Sequence, residues 1–294
     1  MNMKKLLIVS LGLMLCLPVT PVMAEQVNEE LFTSGDYLYI LLDDGTAQIV
    51  KGNEEAEKFE IPAELDGHTV SSIGDAAFGH CLELKEVILP DSITSIGDAA
   101  FANCVDLESI NIPDGVTSIG DAEFWMCSNL EKITIPDSVT SIGIRPFYEC
   151  TGLKEVTLSN SITSIGLGMF WNCSSLESIT IPDGVTIIDD NAFSICSNLT
   201  DVTIPDGVES IGYSAFANCD SLTEITIPDS VTTIKSAAFW NCSSLESIVL
   251  PDSVTSFGSE VFSACKNLTS VIVGRGSCAE QYCIDNDLPC TYEE

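Results

Sequence analysis

Basic residues are scarce in this chain. Eleven lysines and arginines face 44 aspartates and glutamates over 294 residues, for a formal charge of −33. Such a field repels DNA, RNA and anionic membranes and attracts cations and basic protein patches. Histidine is scarcer still, with only His68 and His80. No G-x-S-x-G elbow, H-E-x-x-H, P-loop or C-x-x-C pair occurs, which removes the usual carriers of nucleophilic, metal and phosphate chemistry. The many acids recur periodically, whereas an acid/base pair is placed once. No catalytic residue, metal site or cofactor is therefore expected. Long apolar runs are also missing beyond the first residues. Leu6 to Leu17 follows Lys4 and Lys5 and precedes Val22-Met23-Ala24, a run too short to cross a bilayer and built like an export signal. Residues 1–24 are read as that signal. Their removal leaves nine basic against 44 acidic residues, or −35.

What the chain has is a period. Cys81, Cys104, Cys127, Cys150, Cys173, Cys196, Cys219, Cys242 and Cys265 recur at one unvarying step of 23. A phenylalanine precedes each by three, from Phe78 to Phe262, and a leucine follows each by three, from Leu84 to Leu268. A fixed period of this length marks a solenoid, in which no unit can bury its apolar face alone. Nine cysteines at one repeat position point inward on successive rungs and present poor geometry for an S–S torsion. They are read as reduced core thiols, small buried hydrophobes rather than a disulfide framework. Cys278, Cys283 and Cys290 stand outside this ladder, where a disulfide among them is left open.

Within one rung, Glu108-Ser109-Ile110-Asn111-Ile112 alternates polar and apolar, the pattern of a half-buried strand. Pro113 ends it, since proline cannot donate to a ladder. The following Asp-Gly or Asp-Ser is a turn signal. Val116 and Ile119 return to the core, and Gly120 is read as the residue of a sharp corner. Phe124, Cys127 and Leu130 then recur at intervals of three, which suits a helical or 3₁₀ turn.

The repeated S-I-G-D-A-A-F-x-x-C-x-x-L-x-x-I-x-I-P-D-S-V-T, seen from Ser95 to Leu107 and on into Pro113, resembles the BspA-type leucine-rich repeats. The likeness covers roughly residues 59 to 273. It implies a β-rich leucine-rich repeat solenoid of nine 23-residue rungs. Each rung is expected to carry one parallel β-strand and short helical or 3₁₀ turns. The family resemblance further implies a secreted or surface-attached protein, with adhesion among the roles known for members. The expected organisation is a signal at 1–24, an N-terminal β-hairpin cap at 25–58, the solenoid at 59–273 and a C-terminal cap at 274–294. The hairpin is placed at Tyr37–Leu42 and Thr46–Val50 around an Asp-Gly turn. Ala63 to Thr69 reads as a loop. Ser277 to Asp287 reads as a short helix with Ser277 as N-cap, and Thr291-Tyr292 as the closing edge.

In so regular a chain, departures from the repeat are the functional signal. The column that carries Asp98 and Asp121 becomes Ile144 and Leu167 on the next two rungs. Trp125, Tyr148 and Trp171 follow the phenylalanine on three consecutive rungs, and Arg145 is the lone base beside them. Trp125, Ile144, Arg145, Tyr148, Leu167 and Trp171 are therefore the candidate ligand-binding residues, an exposed aromatic strip of the kind that anchors proteins or carbohydrates. The alternative is that each aromatic folds over its own rung as core. The expected function is non-catalytic recognition or adhesion, toward a protein or cell-surface partner, glycans included. A carbohydrate-binding module using the tryptophans and a structural spacer stand as alternatives. Neither nucleic acid nor a membrane span is expected.

Overall fold

The computed structural model describes residues 30–292. The export signal read at 1–24 lies outside them, as do the first residues of the expected N-terminal cap. The described chain winds through about eleven turns, and its core side chains form one continuous buried cluster from Tyr39 to Cys283.

The alternating stretches form the first column of strands. Lys132–Thr134 pairs in parallel with Glu155–Thr157, and Ser178–Thr180 with Asp201–Thr203, each in register by one repeat. Ile133 and Ile179 point into the core, while Thr134 and Thr180 face solvent. A second, shorter column accompanies it. Ser164–Ile165, Ile187–Ile188, Ser210–Ile211, Thr233–Ile234 and Ser256–Phe257 pair in parallel in that order. Two residues per rung are too few to show an alternation in the sequence.

The third side of each rung is built from turns. Single i→i+3 bonds close at Cys81 on Phe78 and at Leu84 on Cys81. They do not join into a helix, because residues such as Ala76, His80, Ala99 and Asn103 adopt positive φ between them. Rungs are tied on this side too. The amides of Ala76, Phe78 and His80 donate to the carbonyls of Asp98, Ala100 and Ala102. The backbone of the turn side is thus spent on its neighbours, as a buried or half-buried backbone requires.

Packing explains the columns. The phenylalanine rings from Phe78 to Phe262 lie in one stack, with centroids 5.2 to 6.0 Å apart and planes within 13° of parallel. Each such ring contributes on the order of 1.5–3 kcal/mol by burial. The thiols point inward as expected, and from Cys104 to Cys265 each Sγ–H donates to the phenylalanine carbonyl one rung back. Cys104 reaches Phe78 O at 3.1 Å and Cys196 reaches Phe170 O at 3.1 Å. The aspartate column is also structural. Asp98 Oδ1 accepts from the Asp121 amide at 2.9 Å, and Asp121 Oδ1 from the Ile144 amide at 2.8 Å. The glycine column has a different cause from a corner. A Cβ at Gly143 would stand 2.3 Å from Asp121 Oδ1 and 2.7 Å from Asp121 N, so glycine is what lets rungs close to stacking distance.

At the N-terminal end, Phe32–Ser34, Tyr37–Leu41 and Ala47–Lys51 form an antiparallel meander, and Ala47–Lys51 then pairs in parallel with His68–Ile73. The connection read as a loop at Ala63–Thr69 is a hairpin. Glu64–Leu65 lies antiparallel to His68–Ile73, turned by Asp66 and Gly67 at φ 51° and 88°. At the other end a helix spans Cys278–Asp285, with Ser277 Oγ accepting from the Glu280 amide. Cys290–Tyr292 then adds a parallel strand to Ser270–Val273.

Candidate functional site

The turn side carries the residues singled out in the sequence, because it is where the Asp98 and Trp125 columns run. Their backbone positions follow the ladder. The Ala122 amide donates to Ile144 O, the Arg145 amide to Leu167 O at 3.0 Å, and the Glu149 amide to Trp171 O. The side chains therefore come from three stacked rungs on one surface.

Three of the six residues draw together. Tyr148 and Trp171 stack at 4.2 Å between centroids with planes 9° apart. Arg145 lies over the Tyr148 ring at 5.5 Å. Ile144 beside it is exposed. The pair closes over Gly168, where a Cβ would meet Arg145 Cγ at 3.2 Å and Tyr148 Cδ2 at 3.7 Å. Gly168 stands in the column of Ala99 and Ala122, at positive φ, 57°, and its missing side chain leaves the guanidinium stem its place. Burial raises the Tyr148 phenol pKa, Glu149 adds to the effect and Arg145 opposes it. Leu167 is half-buried. Trp125, also half-buried, makes no ring pair among the described residues, so the strip is densest at its second and third rungs.

The acid ladder stops where the cluster begins. Asp121 still accepts from the Ile144 amide, but Ile144 offers nothing to Leu167. The ladder resumes at Asp190, whose Oδ1 accepts from the Tyr213 amide at 2.7 Å. Rung four also trades its proline for Ser159, which is buried and donates to Val139 O at 2.6 Å.

One residue on the rung before the cluster escaped the sequence reading. Glu123 stands in a column of fully buried alanines (Ala100, Ala192, Ala215, Ala238) and is itself 0% exposed. Neither carboxylate oxygen has a hydrogen-bond partner. Burial pushes its pKa well above the usual carboxylate range. The nearby Ala100 amide opposes this, and Asp98 and Asp75 add to it. The signal in the sequence is a lone acid in a column otherwise held by apolar residues.

Nothing in this arrangement is a catalytic constellation: the cluster joins one guanidinium to two rings. Among the described residues no group of three or more His, Cys, Asp or Glu could hold a metal ion, and no helix is long and apolar enough to cross a membrane.

Comparisons with known proteins agree with the fold. The chain matches the family described as the BspA type leucine rich repeat region over residues 53–177 and 163–286. It is similar to a leucine-rich repeat protein from Bacteroides ovatus at 30% identity, with a TM-score of 0.65, covering 83% of this chain and 71% of that one. The pneumococcal vaccine antigen PcpA shares the fold at 21% identity, with a TM-score of 0.54, over 83% of this chain and 81% of that one. No curated protein sequence matches it.

Proposed function

This chain belongs to the BspA-type leucine-rich repeat family, and we propose that it is a non-catalytic recognition protein that engages a protein or cell-surface partner through its aromatic strip. Leucine-rich repeat proteins typically bind proteins, and among the described residues no group of three or more His, Cys, Asp or Glu could hold a metal ion. The observation that carries the reading is the cluster of Arg145, Tyr148 and Trp171, next to exposed Ile144, at the break in the acid ladder. Rigid aromatic and arginine side chains supply contact area at low entropic cost and dominate recognition surfaces. The formal charge of −33 favours partners whose contacting surface is neutral or basic. Residues 1–24 have the composition of an export signal, which in this reading puts the protein outside the cytoplasm, at the cell surface or released from it.

The test is capture of partners by the mature chain on an array of glycans and extracellular matrix proteins. Tyr148→Ala with Trp171→Ala is expected to abolish capture and to leave the melting temperature within a few degrees. A large fall in melting temperature would make these rings core, and unchanged capture would move the site elsewhere.

A further inference from the structure

An exposed apolar residue followed one rung on by a tryptophan occurs twice. Ile144 is 40% exposed, and Trp171 lies one rung on in the aromatic column. Tyr213 is 49% exposed, and Trp240, 38% exposed, again lies one rung on in that same column. The two pairs occupy the same two columns and are offset by three whole rungs. At about 5 Å per rung they stand roughly 15 Å apart along the solenoid axis. Between them the column that carries the tryptophans holds only Ser194 and Ala217. Trp171 stacks on Tyr148 but has no ring on its other side, and Trp240 has no ring partner among the described residues.

We propose that Tyr213 and Trp240 form a second station of the binding site, and that the ligand is a linear, uncharged polysaccharide lying along the axis across both stations. The inference rests on the recognition role assigned to the first cluster. Two like stations at a fixed interval call for a ligand that repeats along its length. Backbone capture of an extended peptide is closed on this side, because the amides of Asn191, Phe193 and Ile195 already donate to Tyr213, Ala215 and Ala217. A glycan needs no such edge. It stacks sugar faces on free rings and hydrogen-bonds its hydroxyls to side-chain amides. Asn172, Asn218 and Asn241 line the neighbouring column, where Asn241 Nδ2 donates to Asn218 Oδ1 at 3.0 Å. Anionic glycans are disfavoured by the net charge, and Lys235, between Tyr213 and Trp240 in the chain, is already paired with Asp190 at 2.9 Å.

The experiment is affinity electrophoresis and calorimetry of the full chain with neutral polysaccharides (β-glucan, mannan, xylan), with heparin as the anionic probe, and with defined oligosaccharides of a bound type. Binding is expected for at least one neutral polymer and not for heparin. Hexasaccharides should bind at least tenfold more tightly than disaccharides, a readout that needs no variant. Tyr213→Ala with Trp240→Ala should weaken polymer binding at least tenfold at unchanged melting temperature. If that variant binds as wild type while Tyr148→Ala with Trp171→Ala does not, the second station is refuted and the first cluster stands. Capture of proteins alone, with no neutral polymer bound, overturns the ligand class while leaving the recognition role intact. Loss of neither by either variant overturns both.

Discussion

Replacing Glu123 with alanine should stabilise this protein at neutral pH. The side chain is fully buried and both oxygens lack partners, and an unsatisfied buried polar group costs about 1–3 kcal/mol. Its neighbours in the column show that alanine packs there, since Ala100 and Ala192 are each 0% exposed. Titration supplies an independent handle. The folded-state pKa lies well above the ordinary value of 4.5, chiefly because of burial. Below pH 4.5 the carboxyl is protonated in both states and titration costs nothing. Above it, the unfolded chain releases a proton that the folded chain keeps, so stability falls as pH rises. The slope reaches up to about 1.4 kcal/mol per pH unit, until the folded carboxyl itself ionises. Urea midpoints measured from pH 4 to pH 8 on wild type, Glu123→Gln and Glu123→Ala separate the effects. Subtracting the Glu123→Gln curve from wild type cancels the other carboxylates and isolates this group. Glu123→Ala should gain about 1–3 kcal/mol at pH 4, where only the unsatisfied group counts, and more at pH 7, where the titration cost adds to it. A pH dependence identical in wild type and Glu123→Gln, or a loss of stability in Glu123→Ala at pH 7, would refute the reasoning.

Phe170→Ala removes a ring stacked 5.5 Å from Phe147 and 5.4 Å from Phe193. It should cost about 3–5 kcal/mol in chemical denaturation, with Phe170→Leu recovering most of it. The buried thiols should be inert in the folded chain, because burial pushes the Cys196 thiol up to about 12 and the Cys81 thiol up to about 11. Alkylation of the native protein at pH 8 should label exposed Cys278 first. The ladder cysteines from Cys81 to Cys242 should be labelled only on unfolding, and mass spectrometry of the digested protein reads the difference.

The fixed period carried the architecture because a solenoid translates sequence repetition directly into stacked columns, and inward residues repeat as Phe, Cys, Leu and Ile. Two things were hidden for the same physical reason. The second strand column has only two residues per rung, such as Ser210–Ile211, too short for a period of two to be seen. The purpose of the glycine and aspartate columns lies between rungs: Gly143 is small because Asp121 of the preceding rung sits against it, and that aspartate is present because the Ile144 amide needs an acceptor. A reading along one rung finds a corner and a turn, whereas the causes act from one rung to the next. This also changes how departures from the repeat are weighed. Replacing Asp by Ile144 costs the Leu167 amide its side-chain acceptor, and replacing Ala by Glu123 buries a carboxyl without a partner. Ile144 belongs to the rung that carries Tyr148, whereas Glu123 lies one rung earlier with its carboxyl under the influence of Asp98 and Asp75 of the preceding rungs. The aspartate is given up again at Tyr213, three rungs on from Ile144 in the same column and likewise exposed; an acceptor lost where an apolar side chain reaches the surface is the pattern expected of positions shaped for a ligand rather than for stacking.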